Sequence, residues 1–162
     1  MINMANVRIP LVKIDAGVST PLGVDKCIII DAIADGTCKV GYACKADTTN
    51  PNKMVLATVG AECGVVIAGK GLKLGDTPTA NTAIKVCIHG PVVASVTAGA
   101  DNIMAGAMLC AHASTGTFIR PVATAGSATS TSAHVLDWRA SDDANYHLIF
   151  YKGLSLNSNT HE

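Results

Sequence analysis

Aromatic residues make up only 4% of this 162-residue chain, a poor fit to the concave stacking platform that a carbohydrate or small-ligand site uses. Charge is scarce as well, at 15% of residues, and twelve basic side chains are matched by twelve acidic ones. With no Lys/Arg run and no basic residues interleaved with aromatics, the chain lacks the footprint of a phosphate-backbone binder, and no nucleic-acid partner is expected. No uncharged stretch is long and apolar enough to span a bilayer. Met1 to Ile9 holds polar residues and Arg8 where a signal peptide has its apolar core, so neither a membrane partner nor export through a leader is expected.

Recognisable catalytic patterns are missing too. Cys27, Cys38, Cys44, Cys63, Cys87 and Cys110 never form a C-x-x-C pair, and Cys38 and Cys44 alternate in phase with Val40 and Tyr42. Buried thiols are the plain reading, with disulfides and a metal site as alternatives, and a reducing compartment argues for thiols. His89, His112, His134, His147 and His161 fall in five segments without H-x-H, H-x-x-x-H or His/Glu pairing, so no metal or cofactor is expected. A triad can be written from a serine in Ser127 to Ser132 with His134 and Asp137, yet no G-x-S-x-G elbow supports it and the segment reads as a flexible polar loop. Asp142-Asp143 lacks the alternating oxygens of a calcium loop, and Gly69-Lys70-Gly71 lacks phosphate-loop spacing. The expectation is a protein that is not an enzyme.

What the chain does have is a succession of short β-branched and alanine-rich segments cut by glycine turns. Cys38 to Lys45 alternates with period two, and Asn145 to Lys152 is apolar on both faces, as in a strand covered on both sides. Further strands are expected at Val7 to Ile14, Lys26 to Ala32, Lys53 to Val59, Cys63 to Ala68, Ile84 to Ile88, Val92 to Val96, Ala107 to Ala113, Thr117 to Val122 and His134 to Trp138. Turn chemistry separates them at Asp35-Gly36, Asn50-Pro51, Gly69-Lys70-Gly71, Gly75-Asp76, His89-Gly90-Pro91, Gly99-Ala100-Asp101 and Ser114-Thr115-Gly116. Asp101 to Ala113 also fits a short helix, but Gly106 favours a turn at Ala105-Gly106 feeding a strand. Turns about every ten residues predict an all-β, mostly antiparallel barrel or sandwich.

The length suits one domain, with a core that needs no staples. Composition divides it into an N-terminal arm or edge strand at 1–24, a β domain at 25–152 and a polar tail at 153–162. So few charges, with a formal net of zero, suit a surface largely buried against neighbours. Candidate contacts are Val7, Ile9 and Leu11 on the arm and, in second place, Trp138, a lone tryptophan beside a polar loop that reads rather as a core plug.

Val59-Gly60-Ala61-Glu62-Cys63-Gly64-Val65-Val66, Leu74-Gly75-Asp76, Ile84-Lys85-Val86-Cys87-Ile88-His89-Gly90-Pro91-Val92 and Ile103-Met104-Ala105-Gly106-Ala107-Met108-Leu109 follow one another in the order of motifs that recur in the small capsid decoration (cement) proteins of tailed bacteriophages. Gly116-Thr117-Phe118 and His147-Leu148-Ile149-Phe150-Tyr151 match the last strands of that family, so the chain resembles it over roughly residues 25–152. It departs at Gly106-Ala107, where the family has Gly-Asp, and in a longer Ser/Thr-rich insert at 124–133. The resemblance implies a β-barrel or β-tulip-like domain made in the host cytoplasm and carried on the outer capsid surface of the virion. It implies a homotrimer whose partner is the major capsid protein, bridging its subunits and stabilising the head. Two other readings remain: a carbohydrate- or receptor-binding β domain of a virion, and a small β-fold hydrolase or metal enzyme.

Overall fold

The computed structural model describes residues 27–58, 61–69, 71–97, 103–112, 114–121, 131–136 and 146–153. These contain nine strands and no helix: β1 Ile28–Ala34, β2 Ala43–Ala46, β3 Lys53–Leu56, β4 Gly64–Gly69, β5 Ala83–Thr97, β6 Met108–Ala111, β7 Phe118–Ile119, β8 Ala133–Val135 and β9 Tyr146–Tyr151. The order β1-β3-β2-β4-β5 closes on itself through a β1–β5 pairing, which makes a five-stranded barrel. The order β5-β7-β6-β8-β9 closes in the same way through β5–β9, so a second ring shares β5 with the first. All pairings are antiparallel except β1–β3 and β5–β7. The fold is all-β as expected, and of the barrel and sandwich alternatives the barrel is what forms; closure removes most of the sheet edge that an open sandwich would leave.

Each ring encloses its own core. Ala34, Cys44, Met54, Val66, Ile84 and Val86, at least one from every strand of the first ring, pack together with Cys38 and Val40. Val92, Ala94, Val96, Leu109, Ala111, Phe118, Ala133, Val135, Ile149 and Tyr151 fill the second, joined from across the wall by Ala43, Val65, Ile67 and Cys87. Successive residues of β4 therefore feed opposite cores, Val65 the second and Val66 the first. This is why its sequence, Gly64-Val65-Val66-Ile67-Ala68-Gly69, is apolar at every position.

His89-Gly90-Pro91, expected as a turn, lies inside β5. Its two flanking segments, expected as separate strands, form one strand of 15 residues. Residues up to His89 pair with β1, and Gly90 onwards pairs with β9. Gly90 takes a φ of 116° and Pro91 offers no N–H at the point where β5 changes partners, before β7 joins at Val96. The residues that elsewhere make a turn here carry one strand from barrel to barrel. The expected strand over Cys38 to Lys45 shortens to Ala43–Ala46 because Gly41, at φ 85°, turns the chain; Cys38, Val40 and Cys44 are nonetheless buried as the alternation predicts. Ala105-Gly106 is a turn and not a helix, with Gly106 at φ 82° and Ala107 N–H donating to the Met104 carbonyl at 3.0 Å.

The shared wall is packed without slack. A Cβ added to Gly64 runs into the Val86 side chain and comes within 2.9 Å of the Cys87 carbonyl oxygen, which is backbone and cannot swing aside. Gly64→Ala is expected to cost about 1–3 kcal/mol by overpacking, read as a lower urea midpoint at unchanged slope.

Candidate functional site

The contacts expected at Val7, Ile9, Leu11 and Trp138 lie outside the described residues, as do His161, Ser127, Ser130, Asp137 and Asp142-Asp143. The surface is therefore built here from the strands of the second barrel. In β9 the exposure alternates, with His147, Ile149 and Tyr151 buried and Tyr146, Leu148 and Phe150 half-buried on the outside. Pairing extends that outer face sideways. Phe150 lies opposite both Pro91 and His134, and His134 lies opposite Met108, giving the row Met108, His134, Phe150, Pro91. Leu148 lies opposite Val93 and accepts the Leu136 N–H at its carbonyl, giving a second row.

Ring contacts hold the first row. His134 stacks on Phe150 with centroids 5.4 Å apart, and His89 meets the same ring edge-on at 5.2 Å. Partial burial, and then the positive charge of Lys152, push the His134 imidazole below its ordinary pKa, so it is neutral at neutral pH. Met108 and Leu136, at the β6–β8 end of this face, are 41% and 37% exposed. Neither Asp, Glu, Lys nor Arg occurs in Gly90–Thr97, Met108–Ala111, Ala133–Val135 or Tyr146–Tyr151. Composition pointed to an uncharged surface in general; pairing register was needed to show where it is.

At the junction of the barrels Tyr146 is lodged against two glycines. A Cβ on Gly41 would meet its ring at 2.9 Å, and one on Gly75 would meet its hydroxyl at 2.7 Å. Its phenol is pushed up to about 12, first by burial and then by Tyr42 and Asp76. Tyr146 therefore works as a wedge binding the loops of the first barrel to β9 of the second.

Polar groups gather in two separate places. Glu62 is fully buried, and its Oε1 accepts from the Ser132 hydroxyl at 2.7 Å and from the Ala111 N–H at 3.3 Å, so Ser132 is engaged structurally. A groove of about 430 Å³ on the first barrel is lined by Asp31, Ala68, Gly69, Gly71, Ala83, Ile84 and Lys85. Its charged pair, Lys85 and Asp31, is self-neutralised at 2.9 Å, and the lining holds no aromatic, histidine or thiol. Among the described residues no three His, Cys, Asp or Glu side chains are grouped to hold a metal ion.

The thiols do not all follow the expected burial. Cys38, Cys44, Cys87 and Cys110 are buried and Cys27 is half-buried, but Cys63 is exposed. A hydrogen bond from Cys44 lowers the Cys63 thiol to about 7, whereas burial, then the Asp35 charge, raise Cys38 to about 11. Thiolate is the reactive form. Under native conditions at pH 7.5, iodoacetamide is expected to label Cys63 first and at least tenfold faster than Cys38, read by peptide mass spectrometry.

No protein-family model and no curated protein matches the chain. Among solved structures it is similar to the head fiber gp8.5 N base of bacteriophage phi29, at 10% sequence identity and a TM-score of 0.49 over 77% of this chain and 93% of that chain.

Proposed function

We propose that this chain is a structural part of a phage virion that binds the outer capsid surface as a homotrimer and stabilises the shell by bridging major capsid subunits, without catalysis. The observation that supports it is the uncharged outer face of β5, β9, β8 and β6, with Met108 and Leu136 exposed at its end. An apolar patch of this kind on a chain with so few charges favours coverage by another protein surface. Bridging repeats one modest contact many times over a shell, and each contact stabilises only the state that offers both sides of it. The test is to mix the purified chain with expanded and unexpanded shells and measure bound copies by mass and electron cryomicroscopy. Ordered copies bound across subunit boundaries support the proposal. A chain that stays monomeric and binds neither shell overturns it.

The His134 imidazole supplies a pH test of the same face. Because its pKa is lowered in the fold, the unfolded chain takes up a proton first, and stability contributed by the neutral ring is lost as pH falls through the ordinary imidazole value near 6.5. Covering the ring with a partner desolvates it further. Binding is expected to weaken between pH 7 and pH 5, and His134→Phe is expected to flatten that dependence, as measured by co-sedimentation with shells.

A further inference from the structure

We propose that Cys27 and Cys87 are a covalent cross-link site, forming an intrachain disulfide that closes the seam between β1 and β5 once the protein meets an oxidising medium. The inference stands whether or not the virion reading does. The two sulfurs are 2.7 Å apart, well inside the separation at which unbonded sulfurs rest, and about 0.7 Å from the S–S bond length.

The strands put them there. Ile29 lies opposite Cys87, and Cys27, two residues earlier, is on the same side of the chain; both Cys27 and Ile29 pack against the core that contains Cys87. Ile28 pairs with His89 and Ile29 with Cys87, so Ile88 has no opposite number and the register shifts at the cysteines. Cys87 is fixed from both sides, by β1 and by Val65 of β4, and is fully buried. Cys27 is half-buried, the less enclosed of the two residues.

With glutathione disulfide as oxidant, the Cys27 thiolate attacks one glutathione sulfur, forming a mixed disulfide and expelling a glutathione thiolate. Cys87 then loses its proton and attacks the Cys27 sulfur, breaking the bond to the second glutathione. Two protein thiols are oxidised, one glutathione disulfide becomes two glutathione molecules, and the two protons end on the departing thiolates. The hydrogen bond with Cys27, then burial, hold the Cys87 thiol far above its usual pKa.

The test uses the full chain, purified with reductant and then exchanged into a glutathione disulfide buffer, with native fold verified by circular dichroism. Unreacted thiols are alkylated and the unreduced digest is mapped by mass spectrometry. The expected result is a linked Cys27–Cys87 peptide in most molecules, and a melting temperature that falls on adding reductant in the wild type but not in Cys27→Ser. Folded protein in which Cys27 and Cys87 are alkylated separately, or in which Cys87 is linked to a different cysteine, overturns the proposal.

Discussion

Glu62→Ala is expected to lower stability by about 3 kcal/mol, whereas Glu62→Gln is expected to remain within about 1 kcal/mol of the native protein. The residue is fully buried, yet between its side chain and its main-chain carbonyl it ties three parts of the second barrel to the entrance of β4. Its Oε1 takes the Ala111 N–H of β6 and the Ser132 hydroxyl just ahead of β8, and its main-chain carbonyl takes the Tyr151 hydroxyl of β9 at 3.1 Å. Alanine leaves a buried N–H and a buried hydroxyl without their acceptor, each worth about 1–3 kcal/mol, and opens a void. Glutamine keeps the accepting oxygen. It also replaces Oε2, which has no hydrogen-bond partner among the described residues, with a neutral group. Urea denaturation of both variants measures the difference; equal losses would show that the site requires the carboxylate itself, not an accepting oxygen on a side chain of the same shape. A second readout is chemical. Burial, then the Glu62 charge, raise the Cys110 thiol, so Glu62→Gln is expected to speed Cys110 alkylation without unfolding the protein.

Nothing near Glu62 in the sequence announces this role. Between Gly60 and Gly64 a single acid reads as a solvated turn residue, and its partners are 49 and 70 positions away. The strands were legible because β-branched runs bounded by glycine describe themselves locally: Lys26 to Ala32, Lys53 to Val59, Cys63 to Ala68 and Asn145 to Lys152 each contain or overlap an observed strand. Closure was not legible. It depends on β1–β3 and β5–β7, parallel pairings of two residues each between distant segments, which leave no periodic trace. Gly90-Pro91 misled for a definite reason: positive φ and a missing donor suit a turn and equally suit a strand passing between two sheets. The outer face was legible only as scarcity of charge, since alternation identifies which residues share a side but not which strands lie next to one another.

Forming the Cys27–Cys87 bridge is expected to raise stability by about 4 kcal/mol over the reduced protein. The bond closes a loop of 60 residues, and the chain entropy removed from the unfolded ensemble grows with the logarithm of that length. The loop contains β2, β3, β4 and most of the first barrel, including the two-residue β1–β3 pairing. In the reduced protein that short parallel contact leaves β1 dependent on its ladder with β5, so opening at the seam exposes the first core. The bridge makes separation of β1 from β5 at the cysteine end inseparable from breaking a covalent bond. For a chain of this size about 4 kcal/mol corresponds to roughly 10 °C in melting temperature. Scanning calorimetry of the oxidised protein with and without reductant should show that shift, and amide hydrogen exchange should slow most in Ile28–Ala34. A shift under about 2 °C would mean that the unfolded chain already holds the two cysteines close together, so that the bond removes little freedom from it.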